Sequence, residues 1–104
     1  MTLSTFKGFM DGVRAAYLHA CEKHPVFTDM VCHHDLDGIR SFLYYCRDYN
    51  EKNTPDFVSI LDEEIGEYAE ASLLGDTEAA KRELLDCAAV LMREWERINT
   101  NGND

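Results

Sequence analysis

The stretch Ile60-Leu61-Asp62-Glu63-Glu64-Ile65-Gly66-Glu67-Tyr68-Ala69-Glu70-Ala71-Ser72-Leu73-Leu74-Gly75-Asp76-Thr77, followed shortly by Glu83-Leu84-Leu85-Asp86, decides the fold. Leu74-Gly75-Asp76-Thr77 reads as a helix stop and an immediate restart. Gly75 suits the left-handed position just past a helix, and Asp76 suits the cap of the next one. A link this short predicts an antiparallel helical hairpin. At about 100° per residue, Glu64 falls within the apolar stripe of Phe57, Ile60, Leu61 and Tyr68, with Glu67 at its edge. Asp62, Gly66 and Glu70 are expected on the opposite, solvated side. Beyond the turn, Glu83 and Asp86 border the stripe of Ala80, Cys87 and Val90.

The spacing of these acids about the turn carries the chemistry. Positions 64 and 86 average to 75, as do 67 and 83, so both pairs are centred on Gly75. Equal distance from the turn means equal height in an antiparallel hairpin. Glu64 is therefore expected level with Asp86, and Glu67 level with Glu83. The two layers are separated by roughly 4.5 Å, and packed helices lie about 8–10 Å apart. A carboxylate on a buried face is costly unless it is paired or binds metal, and four converging acids would raise one another's pKa values. Oxygen-only ligands favour a hard ion, Mg²⁺ or Mn²⁺, over Zn²⁺.

Outward from the hairpin, the chain reads as helix throughout. Thr54-Pro55-Asp56 predicts the start of the third helix, with Thr54 as cap, Pro55 in the first position and Asp56 on the positive end of the dipole. The fourth helix is expected to bury Ala80, Leu84, Cys87, Ala88, Leu91, Trp95 and Ile98. A first helix is read from Thr5 to Lys23, on the recurrence of Phe6, Phe9, Met10, Val13, Tyr17, Ala20 and Cys21. It stops at His24-Pro25, because the residue before proline is driven out of the α region. Val26 to His34 is a connector. Asp35 caps a second helix with Leu36, Ile39, Leu43 and Cys46 inward, ending near Tyr49 or Asn50 before a polar break at Asn50-Glu51-Lys52-Asn53. The expectation is one all-α, four-helix domain over residues 1–98, with a fraying polar tail at 99–104 and the metal site on the hairpin.

Twenty acidic against ten basic side chains leave a net charge of −10, which repels nucleic acid and anionic membrane surfaces. No apolar run approaches the roughly 18 residues that span a bilayer, and Met1–Gly12 does not read as a secretory signal. Cys21, Cys32, Cys46 and Cys87 form no C-x-x-C pair and read as reduced thiols. A soluble, cytoplasmic protein is expected, and a chain this small gains from oligomerisation. Cys32-His33-His34 lacks a second ligand pair for zinc, and Asp35-Leu36-Asp37-Gly38 lacks the remaining ligands of a calcium loop.

The order Glu63-Glu64-Ile65-Gly66-Glu67-Tyr68-Ala69-Glu70-Ala71, then Glu83-Leu84-Leu85-Asp86, resembles the E-E-x-G-E-x-x-E-A and E-x-x-D signatures of MazG-like all-α nucleoside triphosphate pyrophosphohydrolases. The likeness covers about residues 54–98. It implies that Glu64, Glu67, Glu83 and Asp86 bind Mg²⁺. It also implies cleavage between the α and β phosphates of an NTP or dNTP to the monophosphate and pyrophosphate, by a homodimer or homotetramer. Glu63 is a candidate to position water or a metal ligand. Arg93, two turns beyond Asp86, is a candidate for substrate phosphate, although many relatives carry an uncharged side chain there. Phe42, Tyr44, Tyr45, Tyr49 and Trp95 include candidate base-stacking partners, but residues 1–53 carry little of the resemblance and leave the base unnamed. The alternative is a non-catalytic acidic helical module for protein interaction or nucleotide sensing.

Overall fold

Each helix of the computed structural model, which describes residues 2–29 and 34–102, begins or ends on a side chain able to cap it. Four helices and no strand occur among the described residues: α1 Leu3–Lys23, α2 Leu36–Lys52, α3 Phe57–Leu73 and α4 Thr77–Gly102. Thr2 caps α1 by accepting from the Thr5 amide at 3.1 Å. This start is two residues earlier than the apolar period indicates. The predicted stop holds, with His24 as the C-cap before Pro25. Asp35 caps α2 as expected, its Oδ1 accepting from the Gly38 amide at 2.7 Å. Of the Cys32-His33-His34 motif, Cys32 and His33 lie outside the described residues.

Three boundaries differ from the sequence reading. α2 continues to Lys52, because Lys52 pairs with Asp48 one turn back at 3.0 Å and the Asn50 amide donates to the Ser59 carbonyl at 3.0 Å instead of competing for its own backbone. α3 is capped by Asp56, not Thr54. Asp56 and Ser59 form a reciprocal capping box, the Ser59 amide donating to Asp56 Oδ1 and the Asp56 amide to Ser59 Oγ, both at 2.9 Å. That box satisfies two orphan donors where Thr54 would satisfy one. α4 runs on through the expected tail to Gly102, helped by Asn99, whose side-chain amide donates to the Trp95 carbonyl at 2.7 Å.

The turn between α3 and α4 forms as read. Gly75 has φ of 74°, the left-handed region glycine enters without a Cβ clash, and its neighbours close the helix end through Asp76 N to Ala71 O at 2.9 Å and Gly75 N to Ser72 O at 3.1 Å. Asp76 then caps α4, accepting from the Ala79 amide at 3.0 Å.

The chain divides into two units. One comprises Met1–Thr28 with Met92–Asp104. Within it Phe9 is buried, and its ring meets Trp95 edge to face with centroids 5.8 Å apart. Phe6, Met10, Val13 and Tyr17, read as the inward face of α1, are exposed on the single chain, as are Trp95 and Ile98.

The other unit, Asp29–Leu91, holds Leu43, Cys46, Ala69, Ala71 and Val90 in its core. Leu36 and Ile39 are half-buried, and Leu84 and Leu91, predicted inward, are exposed. The reading of Asp62, Gly66 and Glu70 as a solvated face is overturned. Gly66 is buried, Asp62 half-buried, and α2 packs against α3 on that side. A Cβ at Gly66 would stand 2.8 Å from Leu43 Cδ2 and 2.9 Å from Leu43 Cγ, so the missing side chain is what admits Leu43. Glu70 is tied to α2 by Arg40, whose Nε donates to Glu70 Oε2 at 3.0 Å.

Candidate metal centre

α3 presents Glu64 and Glu67 one turn apart, and α4 presents Glu83 and Asp86 with the same spacing. Three of these carboxylates converge. One oxygen each from Glu64, Glu83 and Asp86 lies within 4.8 Å of the others, a separation that a single cation can bridge. Glu67 falls outside that group of three. Its side chain reaches Glu83, while its Oε1 faces Arg47 Nη2 of α2 at 3.6 Å.

The cluster differs from an ordinary acidic patch in its solvation. Asp86 is exposed, but Glu64 and Glu83 are half-buried. Glu64 Oε2 and Glu83 Oε2 are each sealed from solvent, with no donor from outside the acid cluster itself. A buried carboxylate oxygen without a donor is expensive, and a cation is the partner that would satisfy both atoms at once.

The electrostatics agree. Burial, followed by the charges of Glu67 and Asp86, raises Glu64 above the usual carboxylate range. Glu67 is pushed up to about 7, first by burial, then by its hydrogen bond with and the charge of Glu83, against a lowering pull from Arg47. Glu83 is also raised, chiefly by burial. Glu83 is hydrogen-bonded to both Glu67 and Glu64, so the three acids share protons as one coupled cluster. Burial and the same acids raise the neighbouring Cys87 thiol as well. The described cysteines Cys21, Cys46 and Cys87 are free thiols.

The remaining candidates divide. Glu63 is half-buried and turned to α2, its Oε1 accepting from Asn50 Nδ2 at 3.0 Å. Arg93 is exposed and belongs to the first unit. The arginine that the structure does bring to these carboxylates is Arg47, which the sequence reading passed over. Its only signal in the sequence is its place on α2 one turn after Leu43, the residue that seats on Gly66. Among the aromatic candidates, Tyr44 and Tyr45 are largely exposed and Phe42 lies against Gly66.

No family model, curated protein or solved structure matches the chain in comparisons with known proteins. No described helix is long and apolar enough to cross a membrane.

Proposed function

We propose that the α3–α4 pair is an antiparallel hairpin carrying a divalent-metal site, and that the protein is a Mg²⁺-dependent nucleoside triphosphate pyrophosphohydrolase of the MazG-like type, active as a homo-oligomer. The observation that carries this reading is the convergence of Glu64, Glu83 and Asp86, two of which also hold a carboxylate oxygen sealed from solvent. The motif resemblance supplies the reaction class. Glu64, Glu83 and Asp86 fit Mg²⁺, or Mn²⁺, as an oxygen-only set, and Glu67, whose side chain reaches Glu83, is the fourth ligand that the resemblance implies. When bound, the ion supplies charge neutralisation and polarisation of a phosphoryl oxygen.

The protein's own residues do the rest. Four carboxylates on a chain of net charge −10 repel a free triphosphate, so only the metal complex enters. Glu63, held in place by Asn50, is the candidate for positioning water or a neighbouring ligand. The substrate is an NTP or dNTP, with nucleotide-pool sanitation as the setting the resemblance suggests.

The test is a panel of NTPs and dNTPs incubated with the protein and Mg²⁺, with products resolved. Pyrophosphate and the monophosphate, abolished by EDTA, are the expected products. Orthophosphate release, or turnover indifferent to EDTA, would overturn the reaction class. The exposed apolar positions of α4, Leu84 and Leu85 among them, favour a second reading in which the helices form a non-catalytic docking or nucleotide-sensing module. That reading predicts no turnover and a melting temperature indifferent to Mg²⁺.

A further inference from the structure

Beside the carboxylates lies a pocket of about 340 Å³, within the size range of small-molecule sites. Glu83 belongs both to the convergent acids and to the pocket wall, so the pocket adjoins the candidate metal position. Its charged lining is Arg47 from α2, Glu67 and Glu70 from α3, and Asp76 and Glu83 from the turn and α4. Four acids and one base make the cavity repel a free anion. Arg47 is thus the one basic group lining it among the described residues.

Arg47 is set up differently from its neighbour on the same helix. Arg40 makes a hydrogen bond to Glu70 at 3.0 Å, a fixed cross-helix tie. Arg47 Nη2 stands 3.6 Å from Glu67 Oε1, beyond hydrogen-bond distance, with its side chain half exposed. A loose, solvated pair of this kind contributes little to stability. What it does provide is a planar donor fork in the pocket lining, the geometry that grips two phosphate oxygens together.

Resting on the function proposed above, we infer that Arg47 is a substrate-binding residue that holds the distal phosphates of a metal-complexed polyphosphate in the pocket between α2 and the turn joining α3 to α4. The ligand class is a divalent-metal complex of pyrophosphate or a nucleoside triphosphate. A cation bound with the ligand would offset the repulsion of Glu67, Glu70, Asp76 and Glu83, and the Arg47 guanidinium would supply directional bonds at the end of the phosphate chain.

Calorimetric titration of the full chain with inorganic pyrophosphate, with and without Mg²⁺, tests the assignment. Wild-type protein should bind only with Mg²⁺ present. Arg47→Ala should weaken binding by about ten- to a hundredfold, the loss expected for charge-assisted hydrogen bonds. Arg47→Lys, which keeps the charge but not the fork, should fall between. Lys81→Ala deletes another exposed cation paired at 3.6 Å, here with Glu78, and should bind as wild type does. Melting with Mg²⁺ alone separates the two levels of inference. Arg47→Ala should keep the wild-type rise in melting temperature, and its loss would mean that Arg47 acts through Glu67, overturning direct binding. Unchanged pyrophosphate affinity in Arg47→Ala, or an equal loss in Lys81→Ala, overturns it too. A wild-type chain stabilised by Mg²⁺ that never binds pyrophosphate overturns the Arg47 assignment and leaves the metal site standing. A wild-type chain with neither response overturns the metal-dependent function with it.

Discussion

Glu64 and Glu83 place carboxylate oxygens where neither solvent nor a donor from outside the acid cluster reaches them, and that arrangement has consequences without metal. Glu67 titrates near 7 in the folded chain against 4.5 when unperturbed. Between those values the folded state holds more protons than the unfolded one, so the stabilisation is complete below pH 4.5 and disappears as pH rises through 7. After discounting for the solvent that still reaches Glu67, the loss for this residue is about 1–2 kcal/mol. In EDTA, melting temperature should therefore fall by several degrees from pH 5 to pH 8, and Mg²⁺ should restore most of it at pH 8 and little at pH 5. Thermal scans across that grid would check it, and a flat pH profile in EDTA would remove the electrostatic case for the site. Glu64→Gln sharpens the same point by exchanging a buried charge for an amide donor. Without metal at pH 8 it should melt no lower than wild type, yet lose both the Mg²⁺ increment and hydrolysis. Retention of either response would sink Glu64 as a ligand. The convergence of Glu64, Glu83 and Asp86 was legible because symmetry about Gly75 is a property of positions in the sequence. The turn of Glu67 toward Arg47 was not, because Arg47 comes from α2, and its meeting with Glu67 depends on the seating of Leu43 on Gly66.

Helix boundaries show the same division between local and tertiary causes. Gly75 and Asp76 act on their own neighbours, and the turn follows the sequence reading. The start of α3 is local too, but Thr54 and Asp56 compete for it, and the reciprocal bond with Ser59 decides for Asp56. Asp56→Ala should cost about 1 kcal/mol, whereas Thr54→Ala should stay within about 0.5 kcal/mol of wild type. Urea denaturation of both would reveal the true cap, and equal losses would contradict the capping box. The end of α2 was misread because Asn50 bonds across to Ser59 and Glu63, contacts invisible to periodicity. Gly66 was misread for a related reason: a residue with no side chain carries no polarity signal, and its value lies in the space it leaves. Gly66→Ala gains about 1 kcal/mol of helix propensity but drives a methyl into Leu43, which at 1% exposed has nowhere to move. Overpacking costs about 1–3 kcal/mol, so net destabilisation is expected. In a double-mutant cycle with Leu43→Ala the losses should be strongly non-additive, since the smaller side chain vacates the space the new methyl enters. Simple additivity would mean that the α2–α3 contact is not made at this point.

For the molecule as a whole, the apolar pattern and the burial pattern do not match on a single chain. α1 repeats Phe6, Phe9, Met10, Val13 and Tyr17 at helical spacing, yet only Phe9 among them is buried. α4 does the same, with Leu84, Leu91, Trp95 and Ile98 all exposed although the period marks them as an inward face. A sequence can declare an apolar stripe without saying whether the same chain or another copy covers it, and for that reason Phe9, Leu43, Cys46 and Val90 were legible as core while the exposed remainder of the α1 and α4 stripes was not. Exposed apolar stripes on a lone chain are a marker of association, and the −10 charge argues against nucleic acid as the cover. Self-association through these faces is the expectation that accompanies the proposed function. Sedimentation at micromolar concentration should give a mass of two or four times 11.9 kDa. Melting temperature should fall on dilution, because subunit contacts that stabilise only the assembled state contribute less at lower concentration. A glutamate at Val13 provides the control. On a solvent-facing helix it should be close to neutral, whereas in a subunit contact it buries an unpaired charge and should shift the sedimentation profile toward 11.9 kDa. A wild-type mass of one chain, with a melting temperature unmoved by dilution, would show that these faces meet water and would leave the metal site to operate within a monomer.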